Sequence, residues 1–364
     1  MSALPLWQAL QASLLSGEAV VLATVVDQRG SAPQPEGASL MVRADGSLLG
    51  AVSAGCLETD VVSHALRVLD SGVPELHRYR AASGDDPLAL GLSCGGSLEL
   101  IIERWTPDQL PVLQVLFDAL ANDEAVVLAT ALDEPGGLGV RTAKQCSGNL
   151  PVATQAQLLA CTLTPGGEGA GRHWPARAWL SRDNDGSRTV WRQHRPATPL
   201  WIFGATDTAN ALATLARPLG FRSTVVDARA AFATTERCAA ADRVVCSWPH
   251  HWLSEQTITP DTVICALNHD PKFEIPLLSL ALRSPAAYVG AMGSRSTHRQ
   301  RLKALEQEGL KSTELQRLRA PIGLDLGGRT AAEIALAILA EVVMLRCRGG
   351  GNPLAQGEGP LHRR

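Results

Sequence analysis

The sequence has no CxxC pair among its eight cysteines, no long run of either charge, and no unbroken apolar stretch long enough to span a membrane. Each absence removes a class of protein. Widely spaced cysteines point to neither a disulfide framework nor a structural zinc site, and they fit a reducing cytoplasm. A formal net charge of -3 supplies no positive field for nucleic acid or for an anionic membrane surface. The longest apolar stretch, residues 331–345, contains Glu333 and Glu341, both costly to place in lipid. Residues 1–17 lack the basic flank and small-residue cleavage pattern of a secretory signal and read as an amphipathic helix. No nucleic acid, no membrane and a cytoplasmic location are therefore expected.

What is present is enough chain for more than one core. With 364 residues and 45% hydrophobic content, two domains is the working expectation. Residues 18–24 read EAVVLAT, and residues 124–130 read EAVVLAT again. The stretches 7–16 and 113–122 before them carry apolar residues at helical spacing, so each copy reads as helix, turn and buried strand. A pseudo-duplicated unit (7–24 and 113–130) is the expectation, against coincidence at a generic junction. Residues 38–42 and 48–52 read as strands around Asp45-Gly46, and 98–103 as another. Residues 162–171 and 183–187 carry turn chemistry, and 196–199 read as a linker. An α/β N-terminal domain with a mixed sheet over 1–195 follows.

Beyond the linker, short apolar runs at 200–203, 223–226, 243–246, 262–267 and 288–291 alternate with helical segments. That rhythm predicts a doubly wound parallel sheet over 196–348, a Rossmann-like domain. Thr330-Ala331-Ala332-Glu333 is a capping box opening a last helix to about Arg346, and 349–364 read as a mobile tail.

The first turn of this second domain reads Gly204-Ala205-Thr206-Asp207-Thr208-Ala209, where a dinucleotide fingerprint is G-x-G-x-x-G/A. Thr206 replaces the glycine that admits a pyrophosphate, and Asp207 places negative charge where phosphate would sit. The altered turn disfavours NAD(P), although Asp227 lies near the position of a ribose-binding carboxylate. Gly293-Ser294-Arg295-Ser296, opening a helix that continues through His298, Arg299 and Arg301, has the parts of an anion cradle; the alternative is a capped helix with a solvated basic face. His269, in Asn268-His269-Asp270-Pro271-Lys272 at a strand end, could donate to a ligand, or Asp270 could simply cap the next helix.

In the first domain, Gly55-Cys56-Leu57-Glu58 sets a cysteine in a small-residue turn before a helical stretch. A helix N-terminus favours thiolate, which serves as nucleophile, sulfur acceptor or soft metal ligand. Ser93-Cys94-Gly95-Gly96 sets a second cysteine in a glycine-rich turn. Glu58 could orient a group beside Cys56 or stabilise the first helical turn. Cys146, Cys161, Cys238, Cys246, Cys265 and Cys347 read as small packing residues.

Taken in order, these motifs resemble the xanthine dehydrogenase accessory family of the XdhC/CoxI type. Carrying the resemblance are Arg29-Gly30-Ser31-Ala32-Pro33, Gly37-Ala38, Asp45-Gly46, the Cys56 and Cys94 turns, residues 200–204, Asp227-Ala228-Arg229, the His269 segment, Gly293-Ser294-Arg295, and residues 320–327, APIGLDLG. The chain departs from the family at Thr206 and Asp207, where Gly-His is common, at Ala54 and at Ser296. The resemblance implies a cofactor chaperone rather than an enzyme. It would bind molybdenum cofactor, as molybdopterin or a nucleotide form, assist its sulfuration through a cysteine desulfurase, and pass it to a xanthine dehydrogenase/CO dehydrogenase-type molybdenum hydroxylase. It also implies a homo-oligomer. Cys56, with Cys94 assisting, would serve the molybdenum, and Gly293 to Arg295 the phosphate. The competing reading is an NAD(P)-dependent oxidoreductase built on the second domain.

Overall fold

The computed structural model describes residues 4–30, 34–80, 96–134, 136–161, 176–268 and 270–356. Cys94, Gly95, His269, residues 31–33, the 162–171 turn and residues 357–364 of the expected tail lie outside them. Residues 197–353 form one compact unit, and the described residues before 197 form the core of another.

The N-terminal unit is the same sequence of elements laid down twice. The first set is α1 (Leu4–Leu15), β1 (Val20–Arg29), β2 (Ser39–Val42), β3 (Leu48–Gly50), α2 (Glu58–Ser71), β4 (Glu75–Arg80) and β5 (Ser97–Trp105). The second is α3 (Leu110–Ala121), β6 (Val126–Ala131), β7 (Leu138–Thr142), β8 (Cys146–Gly148), α4 (Val152–Ala160), β9 (Ala176–Arg182) and β10 (Arg188–His194). Their sheets have orders β3-β2-β1-β5-β4 and β8-β7-β6-β10-β9. Where a mixed sheet is expected from the sequence, the pairings within both sheets are antiparallel. The short connections between β2 and β3, β7 and β8, and β9 and β10 account for part of this arrangement. Short turns, such as the Asp45-Gly46 turn with Gly46 at φ 80°, can join only antiparallel neighbours.

The repeated heptapeptide is apolar at consecutive positions because both faces of its strand are covered. Val20 and Leu22 of β1 and Val126 and Leu128 of β6 enter one cluster with α1 and α3. Val21 and Ala23 face a cluster with α2, whereas Val127 and Ala129 face one with Leu158 of α4. Each fully buried Val or Leu contributes roughly 1.5–3 kcal/mol.

Polar groups mark the same correspondence. Leu22 pairs with Glu103 and Leu128 with Arg192, so equivalent strand positions hold opposite charges. Arg192 Nη2 donates to Glu103 Oε1 at 2.5 Å, and both residues are almost wholly buried. The threonines of the two heptapeptides, Thr24 and Thr130, accept from the same guanidinium at 3.4 and 3.3 Å.

The C-terminal unit runs β11 (Thr198–Phe203), α5 (Asp207–Ala216), β12 (Phe221–Asp227), β13 (Arg243–Cys246), α6 (Pro249–Ser254), β14 (Val263–Ala266), α7 (Pro271–Arg283), β15 (Tyr288–Ala291), α8 (Arg295–Gln307), α9 (Ser312–Leu315), β16 (Leu318–Arg319) and α10 (Ala331–Cys347). The order β13-β12-β11-β14-β15-β16 with parallel pairings is the doubly wound Rossmann arrangement. Leu200 and Ile202 pack under α5 and α10, and Trp201 and Phe203 under α6 and α7. The capping box at Thr330 and Glu333 is formed. Glu341, inside α10, accepts from the Tyr288 hydroxyl at 2.6 Å and from Gly323 N at 2.9 Å, tying the 320–327 segment to the helix.

Candidate functional site

In the C-terminal unit the strand order reverses between β11 and β14, the position at which α/β sheets bind ligands. Gly204 leaves β11 there with φ 113°, and a Cβ on it would stand 2.9 Å from Asn268 N. Only glycine allows that approach. Asn268 Oδ1 is buried with no hydrogen-bond partner among the described residues, an acceptor left open at this crevice.

The altered fingerprint has a structural explanation. Thr206 is the N-cap of α5, its hydroxyl accepting from Ala209 N at 3.2 Å, so a side chain satisfies an amide that a phosphate would otherwise take. Asp207 follows in the first turn, where the helix dipole favours a negative charge. Asp227 is buried at the end of β12 and already saturated. Its oxygens accept from Ala205 N at 2.9 Å, from Arg229 N and Nε at 2.9 and 3.0 Å, and from Arg229 Nη2 at 2.8 Å. Burial pushes this carboxyl up, but the Arg229 and Ala205 bonds outweigh it and hold it below its ordinary value. The ribose-type acceptor suggested by spacing is thus bound to its own neighbours.

The loop after β15 is more open. Gly293 has φ 145°, and Ser294 caps α8 by accepting from Thr297 N at 3.1 Å. The hydroxyls of Ser296 and Thr297 lie 2.7 and 2.9 Å from Ser294 Oγ, and Arg295 is exposed at the first helical position. The alternative of a capped helix with a solvated basic face holds for the cap but not for Arg301. It is buried, donating through Nη2 to Glu274 Oε1 at 2.6 Å and to Met292 O at 2.7 Å, while Nε and Nη1 are buried without partners among the described residues. The helical turn from Ser294 simply rotates Arg301 inward. His298 is held below its ordinary pKa by burial and by Arg301. Asp270 does cap α7, accepting from Lys272 N at 3.1 Å.

In the N-terminal unit, Cys56 occupies a link that the second set of elements lacks. Residues 51–57 join β3 to α2, whereas residues 149–151 suffice between β8 and α4. Glu58 pins the longer link, accepting from Ser53 N at 2.9 Å and from the Ser53 hydroxyl; that hydroxyl in turn accepts from Gly55 N at 3.2 Å and Leu57 N at 3.1 Å. Burial raises the Glu58 carboxyl, but these Ser53 and Leu57 bonds bring it below its usual value, so it is anionic. The Cys56 thiol is left exposed beside Gly55, where space is open around the missing Cβ.

The packing role expected of the remaining cysteines holds for Cys238 and Cys265, which are buried, and not for Cys146, Cys246 and Cys347, which are exposed. Cys246 closes β13 at the ligand-binding edge of the sheet. Trp248 follows it, 44% exposed and 4.9 Å from the Phe273 ring. The sequence reading gave Cys246 a packing role and passed over Trp248, although its place directly after a strand run was the available signal.

Fold and site together define a two-unit α/β protein whose Rossmann-type half has a hydroxyl-lined loop after β15 and caps its own dinucleotide turn. The XdhC and CoxI family model matches residues 13–80, and the XdhC Rossmann domain model matches residues 200–342. The molybdenum cofactor insertion chaperone PaoD of Escherichia coli K12 is 30% identical over 340 residues, covering 92% of this chain and 86% of that protein. A probable xanthine dehydrogenase subunit of Bacillus subtilis is 26% identical over 340 residues, covering 93% and 97%. A Bacillus halodurans crystal structure described as a xanthine dehydrogenase shares the fold, with a TM-score of 0.74 at 23% identity over 97% of this chain and 98% of that one. The chain belongs to the XdhC/CoxI family.

Proposed function

We propose that this protein is a molybdenum cofactor chaperone that protects the cofactor, assists its sulfuration and inserts it into a xanthine dehydrogenase/CO dehydrogenase-type molybdenum hydroxylase. The observation that carries the reading is the exposed Cys56 thiol on a link braced by Glu58, in a chain 30% identical to a protein named for cofactor insertion. A thiol held at an open turn is suited to a soft, dithiolene-bound metal. Cys56 serves the molybdenum, with Cys94 and Gly95 assisting. Gly293, Ser294 and Arg295, with the hydroxyls around them, serve the phosphate. Gly204 and Asp227 support the crevice, and His269 serves as a donor to the ligand. A cysteine desulfurase is the sulfur source, and the chaperone acts as a homo-oligomer in the cytoplasm.

The oxidoreductase alternative is weakened by the hydroxyl cap of Thr206 and by the commitment of Asp227 to Arg229. The test is anaerobic purification from a host that makes molybdenum cofactor, with molybdenum quantified by mass spectrometry and pterin by fluorescence after oxidation. The wild type should carry both, and Cys56→Ala should lose the molybdenum. A wild-type protein with neither overturns the proposal, whereas Cys56→Ala with a full load overturns only the assignment of that residue.

A further inference from the structure

A second group of ligating side chains lies between α2 and β4 of the N-terminal unit. Glu75 and His77 stand two residues apart on β4 and so share a face of the strand. His64 comes from α2. His64 Nδ1 lies 2.9 Å and His77 Nε2 2.6 Å from the same oxygen, Glu75 Oε2, and the imidazole centroids are 3.6 Å apart. The three ligand atoms fall within 4.8 Å of one another. Side-chain exposures of 17%, 29% and 22% for His64, Glu75 and His77 leave the group half-buried and reachable from solvent.

Outer residues set the orientation of the rings. Asp60, one turn before His64, has Oδ2 3.5 Å from His64 Nε2 and accepts from the Tyr79 hydroxyl at 2.7 Å. In the tautomer with its proton on Nε2, toward Asp60, His64 turns its Nδ1 lone pair toward the Glu75 carboxylate. In that tautomer two acceptors face each other, an arrangement that a cation relieves. Arg67 supplies the positive charge in this structure, its Nη2 touching His64 Nδ1 and lying 3.5 Å from Glu75 Oε2. Its side chain is 58% exposed, the least buried of the group, and can swing into solvent.

We propose that His64, Glu75 and His77 form a binding site for a divalent transition metal of the zinc type, with an open coordination position and with Arg67 as the displaceable occupant. Two imidazoles and one carboxylate are a donor set for zinc, cobalt(II) or nickel(II) rather than for magnesium or calcium. Asp60 is the outer carboxylate that orients a metal-bound histidine. Metal here clips β4 to α2, the helix that begins at Glu58 and carries the Cys56 turn at its head.

The test is calorimetric titration of tag-free, chelator-treated full-length protein with Zn2+, with Co2+ absorption as the spectroscopic readout. One saturable equivalent is expected, with Co2+ bands free of thiolate charge transfer. His64→Ala and His77→Ala should each lose the site, and Asp60→Asn should weaken it about 10–100-fold. Arg67→Ala should tighten it, which a merely structural cluster would not do. Absence of saturable binding in both wild type and Arg67→Ala overturns the proposal, as does binding unchanged in either histidine variant.

Discussion

Acidification should weaken the N-terminal unit through His194. This residue ends β10, is buried with Nε2 unpartnered among the described residues, and meets Trp7 edge-on at 5.2 Å between ring centroids. Burial, and then the charge of Arg192, lower its pKa from 6.5 to about 4. The native unit therefore refuses a proton that the unfolded chain accepts below about pH 6.5. The contribution is constant above that value and erodes as pH falls toward 4. A shift of this size is worth about 3 kcal/mol when fully expressed, and about 2 kcal/mol at pH 5. Urea unfolding read by peptide-resolved hydrogen exchange over β6 and β10, corrected for intrinsic rates, isolates this unit. His194→Leu should lose about 2 kcal/mol less than wild type between pH 7 and pH 5. Equal losses in the two proteins would refute the reasoning, because His194 would then be titrating as it does in the unfolded chain.

Glu103→Ala should cost about 3–5 kcal/mol in the same assay, since it leaves the buried Arg192 guanidinium without its carboxylate; replacing both with Met should cost far less. Gly204→Ala should destabilise the C-terminal unit by about 2–5 kcal/mol, combining strain at φ 113° with a 2.9 Å approach to Asn268 N, measured by hydrogen exchange over β11 and β14.

Much of the architecture could be read from local pattern. Alternating apolar runs located β11 to β15, and the Thr330 capping box located α10, because strand and cap formation depend on residues only a few positions apart. The same reading placed Cys56 at the head of a helix. It missed β4, β7 to β10 and β16, which are short or carry polar residues and glycines that obscure the period-two signal, and it passed over Trp248, whose only local signal is its place after a strand run.

The sequence by itself determined the repeated heptapeptide, the altered dinucleotide turn and the family resemblance, all of which are properties of residue order. Only the tertiary structure decided that Thr24 and Thr130 meet on one guanidinium, that Arg301 turns inward to Glu274, and that His64 and His77 converge on Glu75. Those contacts join residues on different elements. They form where apolar packing brings the elements together and leaves each buried or half-buried charge to find its partner.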